Sequence, residues 1–174
     1  MDVKQALLSE HNKKQAHKIA LFAYTYPVLL DQLLRLFLQG DDRLSQRASW
    51  PLTIIAEKMP DLILPHLPTL VGILEKQDIH NEVKRNTLRS FQFMEIPQEY
   101  HKKVLDLCFE FINLEAEPVK IKAYAMSVAF KLSVHKPEVQ EELKELIENQ
   151  MPYAGIGFKI SGNKILKRIA ANSG

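Results

Sequence analysis

The side chains with the most chemistry to offer are cations. Arg43, Arg47, Lys84, Arg85, Arg89, Lys120, Lys122, Lys159, Lys164 and Lys167 fall on four separate segments, each with apolar residues at helical spacing. Cations gathered on one surface attract polyanions by neutralising phosphates and releasing counterions, with no need to read bases. The same surface attracts an acidic peptide or a partner helix. Aromatic interleaving is sparse, limited to Trp50, Tyr124 and Phe93. Trp50, the one tryptophan, sits in Arg47-Ala48-Ser49-Trp50-Pro51. An exposed Trp beside an Arg can stack a base or an aromatic side chain. The competing use of Trp50 is packing between neighbouring helices. The competing use of the cations is a solvated helix face, paired with carboxylates of the next segment.

Other candidates for chemistry are thin. The histidines, His11, His17, His66, His80, His101 and His135, include no pair at the i, i+4 spacing of a helical metal site, and no Cys–His cluster exists. No metal and no cofactor is expected. Cys108 lies on the apolar stripe of Val104-Leu105-Asp106-Leu107-Cys108-Phe109-Glu110-Phe111 and reads as a small core residue. A lone cysteine forms no internal disulfide, so nothing suggests an oxidising compartment. Gly155-Ile156-Gly157-Phe158-Lys159 precedes a helix and has N–H groups to offer a phosphate, but it lacks the Walker frame and a preceding strand, and reads as a turn. No catalytic constellation is present, and a non-enzymatic chain is expected. The start, Met1-Asp2-Val3-Lys4-Gln5-Ala6, lacks the apolar stretch of a signal peptide. No window approaches the roughly 20 apolar residues of a membrane span. A cytoplasmic protein without membrane contact is the simplest expectation.

The elements that must position these residues repeat along the chain. Helix openings recur at Leu44, Val83, Val119 and Phe158, separated by 39, 36 and 39 residues. Pro27, Pro60, Pro97 and Pro137 open the alternate helices at spacings of 33, 37 and 40. Proline suits a first helical turn, where its missing N–H costs nothing. In the second helices the stripes Leu44/Ala48/Leu52/Ile55, Val83/Thr87/Phe91/Met94, Val119/Ala123/Ser127/Phe130 and Phe158/Gly162/Leu166/Ile169 align. The second position is always small, as close helix packing requires, and the last is always large and apolar. Between Pro60 and Met94 the pattern predicts a helix to about Lys76, a polar loop, an N-cap at Asn81 or Asp78, and a second helix. Self-similarity of this length marks stacked helical pairs.

Leu64-Pro65-His66-Leu67-Pro68 through Asp78, then Glu82-Val83-Lys84-Arg85-Asn86-Thr87, resembles a HEAT repeat. Glu117-Pro118-Val119-Lys120-Ile121-Lys122-Ala123 repeats its second half; Asp41-Asp42-Arg43-Leu44 with Ala48 is looser, and Gly155-Ile156-Gly157-Phe158-Lys159 with Gly162 departs most. The resemblance covers residues 27 to 170, and armadillo-type relatives share the architecture with a third helix per repeat. It implies an all-α fold, an α-α superhelix: a short right-handed solenoid of about four helical pairs in one domain, residues 1–174. Residues 1–25 form an N-terminal capping helix or degenerate repeat, followed by repeats at 26–59, 60–96, 97–136 and 137–172.

Charge divides by helix class. The first helices (27–39, 61–76, 98–113, 138–149) total −6 and the second helices (43–58, 82–94, 117–133, 157–170) total +10, a separation hidden in the net charge of +2. The resemblance places second helices on the concave surface, implying a basic groove with Arg47, Trp50, Lys84, Arg85, Arg89, Lys120, Lys122, Lys159 and Lys164 as candidate residues. The expected function is a non-enzymatic scaffold holding an acidic protein or peptide. The alternative is a nucleic-acid-binding repeat protein related to DNA-alkylation-repair glycosylases, which combine a HEAT-like fold with a Trp and a nearby Asp. Here Ile54 stands four residues after Trp50, and no Asp follows on that face.

Overall fold

The computed structural model describes residues 1–174 and is all-α, without strands. The helices are α1 (Val3–Ser9), α2 (Lys13–Thr25), α3 (Pro27–Gln39), α4 (Asp42–Lys58), α5 (Pro60–Ile63), α6 (Leu67–Leu74), α7 (Asn81–Phe91), α8 (Gln98–Asn113), α9 (Val119–Leu132), α10 (Pro137–Gln150) and α11 (Ile156–Asn172). A 3-10 turn, Leu64–His66, separates α5 from α6. The chain divides into two compact units, Met1–Glu95 and Ile96–Gly174.

Local chemistry sets the boundaries. Pro27, Pro60 and Pro137 open α3, α5 and α10 at the first turn, while Pro97 caps α8 from outside. The Asp41 carboxylate accepts from the Leu44 N–H at 2.9 Å and starts α4; Asp2 and Asn12 do the same for α1 and α2. The helix expected from Pro60 to Lys76 is broken in the middle and ends at Leu74. Pro65 and Pro68 lie in and just after the break and cannot donate to the helical ladder. The cap of α7 is neither Asn81 nor Asp78 but His80, whose Nδ1 accepts from the Glu82 N–H at 3.2 Å.

In the first unit α2, α4 and α7 pack side by side, with α3 against both α2 and α4, and α6 against α7. The stripes of α4 and α7 behave as expected: Leu44, Ala48, Leu52 and Ile55, then Val83, Thr87, Phe91 and Met94, are all buried. A small polar seam joins the two helices. The Asn86 amide donates to Ser49 Oγ at 2.8 Å, and the Thr53 and Ser90 hydroxyls donate to the carbonyls of Ser49 and Asn86.

In the second unit α9 packs against α8 and α11, and α10 against α8, α9 and α11. Here the expected stripe of α9 is displaced. Val119 is 42 % exposed, and Ala123 and Ser127 are half-buried. Phe130 alone of the expected stripe is buried, beside a face of Ile121, Ala125, Met126, Val128 and Ala129. A helix packed on two sides buries a wide arc, and Ala125 and Ala129 supply the small surfaces that let neighbours approach. The stripe of α11 keeps its frame at Phe158, Gly162 and Ile169. A Cβ on Gly162 would lie 2.9 Å from Ile147 Cγ2 and 3.3 Å from Met151 Cε, so α11 and α10 meet over bare backbone.

Candidate functional site

The candidate cations fall into two groups with different surroundings. In the first unit they are engaged by their own unit. Arg47 Nη1 donates to the Leu7 carbonyl at 2.7 Å and the Leu8 carbonyl at 3.0 Å. It therefore caps the C-terminal end of α1, where backbone carbonyls lack helical partners and a cation suits the dipole. Trp50 is half-buried and meets the His11 ring edge-on at 5.5 Å, against the α1–α2 junction. Arg85 pairs with Glu82 at 2.7 Å, and Glu82 also accepts from Gln46 on α4 at 3.2 Å. Arg89 reaches Glu57 on α4 at 3.8 Å. Lys84 is half-buried on α7.

In the second unit the picture reverses. Helix α9 carries Lys120, Lys122 and Lys131, α11 carries Lys159, Lys164, Lys167 and Arg168, and neither holds a single carboxylate. Lys120, Lys159, Lys164 and Lys167 are exposed. Arg168 lies over the Phe130 ring, 4.4 Å from its centroid, which holds the guanidinium close to α9.

Lys122 is the exception, only 6 % exposed. Its ammonium donates to Gln150 Oε1 at 3.2 Å and sits 5.7 Å from the Phe158 centroid; Gln150 is oriented by donating to the Ile112 carbonyl at 2.9 Å. Burial lowers its pKa from the ordinary lysine value of 10.5, with Glu117 and Glu115 pulling the other way. It lines an open pocket of about 480 Å³ whose rim includes those two glutamates and Tyr153. A lysine held this way shapes the α9–α11 contact more than it offers charge to a partner.

No group of three His, Cys, Asp or Glu side chains is placed to hold a metal ion. Cys108 is fully buried, and burial pushes its thiol pKa well up, so it stays protonated. Gly155 serves as the extended N-cap of α11. A set of cations outside the candidates also emerges: Lys13, Lys14 and Lys18 are exposed on α2, which has no carboxylate at all. The absence of acids from residues 13–25 was the available signal.

No curated protein and no solved structure matches the chain. Residues 3–169 match the family described as HEAT repeat domain. The match runs through α1 and α2 as well as the four later pairs, in keeping with α2 packing beside α4 as α4 packs beside α7. Paired helices, proline-opened first helices and, within each unit, second helices in side-by-side contact agree with that assignment, and the chain belongs to the HEAT repeat family.

Proposed function

We propose that the protein is a non-enzymatic interaction module that holds an acidic peptide or acidic protein surface against its basic second helices. HEAT repeats generally mediate protein–protein interaction and generally serve as scaffolds. The observation that carries the reading is the charge of α9 and α11: seven cations, no carboxylate, and four of the lysines exposed. Two such helices in contact carry like charge with no internal counter-ion, and an anionic partner relieves the repulsion. Of the candidate residues, Lys120, Lys159 and Lys164 are the primary contacts, while Lys122, held by Gln150 and the Phe158 ring, acts as a positioning group. Lys84, Arg85 and Arg89 give the first unit a weaker basic surface, since Glu82 and Glu57 offset part of their charge. Arg47 and Trp50 act by fixing α1 and the α1–α2 junction. No helix is long and apolar enough to cross a membrane.

The test compares a fluorescent Glu-rich peptide with a random-sequence DNA duplex of matched charge, each titrated at low and moderate salt. The wild type is expected to bind the peptide, and Lys120→Glu/Lys159→Glu/Lys164→Glu to lose about tenfold or more in affinity. Peptide affinity unchanged in the triple variant sinks the reading. Duplex binding that is tighter than peptide binding and falls steeply with salt replaces it with nucleic-acid binding.

A further inference from the structure

Between the C-terminal halves of α2 and α4 lies a trough of about 350 Å³. Ala20, Ile54 and Ile55 form its floor, at 4, 8 and 2 % exposure. Leu21, Tyr24 and Met59 line the same trough yet stand 62, 46 and 37 % exposed. Three large apolar side chains left partly in water around one buried floor form a contiguous patch, and patches of this kind mark interaction sites. The polar side chains at its margin are His17 and Lys58, and Tyr24 adds one hydroxyl.

The chemistry of the lining selects the occupant. A metabolite or cofactor needs several convergent polar groups to orient it, and two side chains at the margin and one hydroxyl do not provide them. Strand addition needs a sheet edge, and the fold has no strand. A third helix laid into the furrow between two packed helices needs neither, since its recognition rests on apolar anchors one turn apart. From His17 to Tyr24 the trough follows two turns of α2, a rise of about 10 Å. Anchors at i, i+4 and i+7 of a docked helix cover the same distance.

Charge sets the rest of the partner. Helix α2, which forms one wall of the trough, carries exposed Lys14 and Lys18 and no acidic residue, and Lys58 lines the trough on α4. Glu57, the neighbouring carboxylate on α4, faces Arg89 at 3.8 Å. We propose that this trough docks an amphipathic α-helix of a partner protein, with bulky apolar side chains at i, i+4 and i+7 and carboxylates on its flanks. This rests on the reading of the chain as a non-enzymatic module for acidic partners, but it uses none of Lys120, Lys159 and Lys164. The trough supplies apolar anchoring, which a basic surface by itself lacks, and so supplies selectivity among acidic segments.

The test uses the full 174-residue chain. Three fluorescent peptides of about 14 residues carry Leu, Phe or Met at the three anchor positions and Glu on the flanks, and a fourth replaces the anchors with Ser. At least one anchored peptide is expected to bind about tenfold or more tighter than the Ser peptide. Leu21→Asp, an exposed substitution, is expected to abolish that gain, and Lys58→Glu to weaken binding severalfold, while Lys159→Glu/Lys164→Glu leaves the gain intact. Thermal unfolding of each variant checks that the fold is kept, and Tyr24→Ser serves as a second trough variant. If no anchored peptide binds better than the Ser peptide, or if the gain survives both Leu21→Asp and Tyr24→Ser, the trough is not the docking site. Binding of anionic phosphatidylglycerol vesicles that depends on Leu21, without peptide binding, overturns the proposal in favour of a lipid surface. Loss of Ser-peptide binding in the triple lysine variant tests the basic-surface reading separately, so the two can fail independently.

Discussion

Asn86 and Lys122 show how one polar side chain in an apolar seam fixes two helices. Asn86 is 7 % exposed and spends its amide on Ser49 Oγ across the α4–α7 contact. Removing it leaves the buried Ser49 hydroxyl donating to the Gln46 carbonyl but accepting from nothing, and the expected cost for Asn86→Ala is about 1–3 kcal/mol, read from urea unfolding. Lys122 behaves differently because its charge is the unfavourable part. Its folded pKa is lowered by burial, so between that value and 10.5 the unfolded chain binds more protons and stability rises with pH. The wild type should therefore gain on Lys122→Met as pH rises from neutrality toward 10.5, as measured by denaturant unfolding at each pH. A constant difference would mean that the ammonium is no less comfortable folded than unfolded. Neither role was legible from sequence: Asn86 is a polar residue just after two cations, Lys84 and Arg85, and Lys122 looks like one more groove lysine. Their burial follows from which neighbour lies across from them, and no helical period records that.

At the scale of elements, α1 is short and depends on a group far along the chain. Its seven residues cannot sustain a helix alone, and the Arg47 guanidinium caps two of its terminal carbonyls. Arg47→Met is expected to cost about 1.5–3 kcal/mol of α1 docking, as charged hydrogen bonds to the backbone do. Amide exchange should speed up across residues 3–9 while α7 stays protected, and the emission of Trp50 should shift, because the ring rests on the same junction. The α10–α11 contact makes an opposite demand. Gly162→Ala gains about 1 kcal/mol of helix propensity, but its methyl meets the stiff, fully buried Ile147 at 2.9 Å. Overpacking of about 1–3 kcal/mol should outweigh the gain, giving a lower melting temperature. This glycine was anticipated as the small member of its stripe. In α9 the same frame held at Phe130 and not at Val119, Ala123 and Ser127, because the face that meets α8 and α11 is centred on Ala125 and Ala129.

At the scale of the molecule, the proposed association with an acidic partner draws on the division of charge between helix classes. Binding of an acidic partner through exposed Lys120, Lys159 and Lys164 should weaken as salt rises, since the pairs formed are solvent-facing and screened over about 10 Å at 0.1 M. A trough partner anchored by Leu21 and Tyr24 should keep more of its affinity, because apolar burial is not screened. Titrating both peptide types across a salt series separates the two contributions, and parallel slopes would argue that the trough contributes nothing. The pairs Arg85–Glu82 and Arg89–Glu57 are partly exposed, and such pairs stabilise by about 0–1 kcal/mol each. Their consequence lies in lowering the charge the first unit presents.

Residue order by itself determined the paired helices, their openings and the sign of charge on each class. Those properties depend on spacing along one helix, on proline at first turns and on the residue types present, all of which are local. Tertiary structure decided which cations remain free to meet a partner. Arg47 on α4 and Lys122 on α9 belong to the same basic class of second helices as Lys120 and Lys164, yet the first holds the carbonyls of Leu7 and Leu8 and the second is buried against Gln150 and Phe158. The value of a charge to a ligand depends on its desolvation and on what already neutralises it, and both are set by residues distant in the chain.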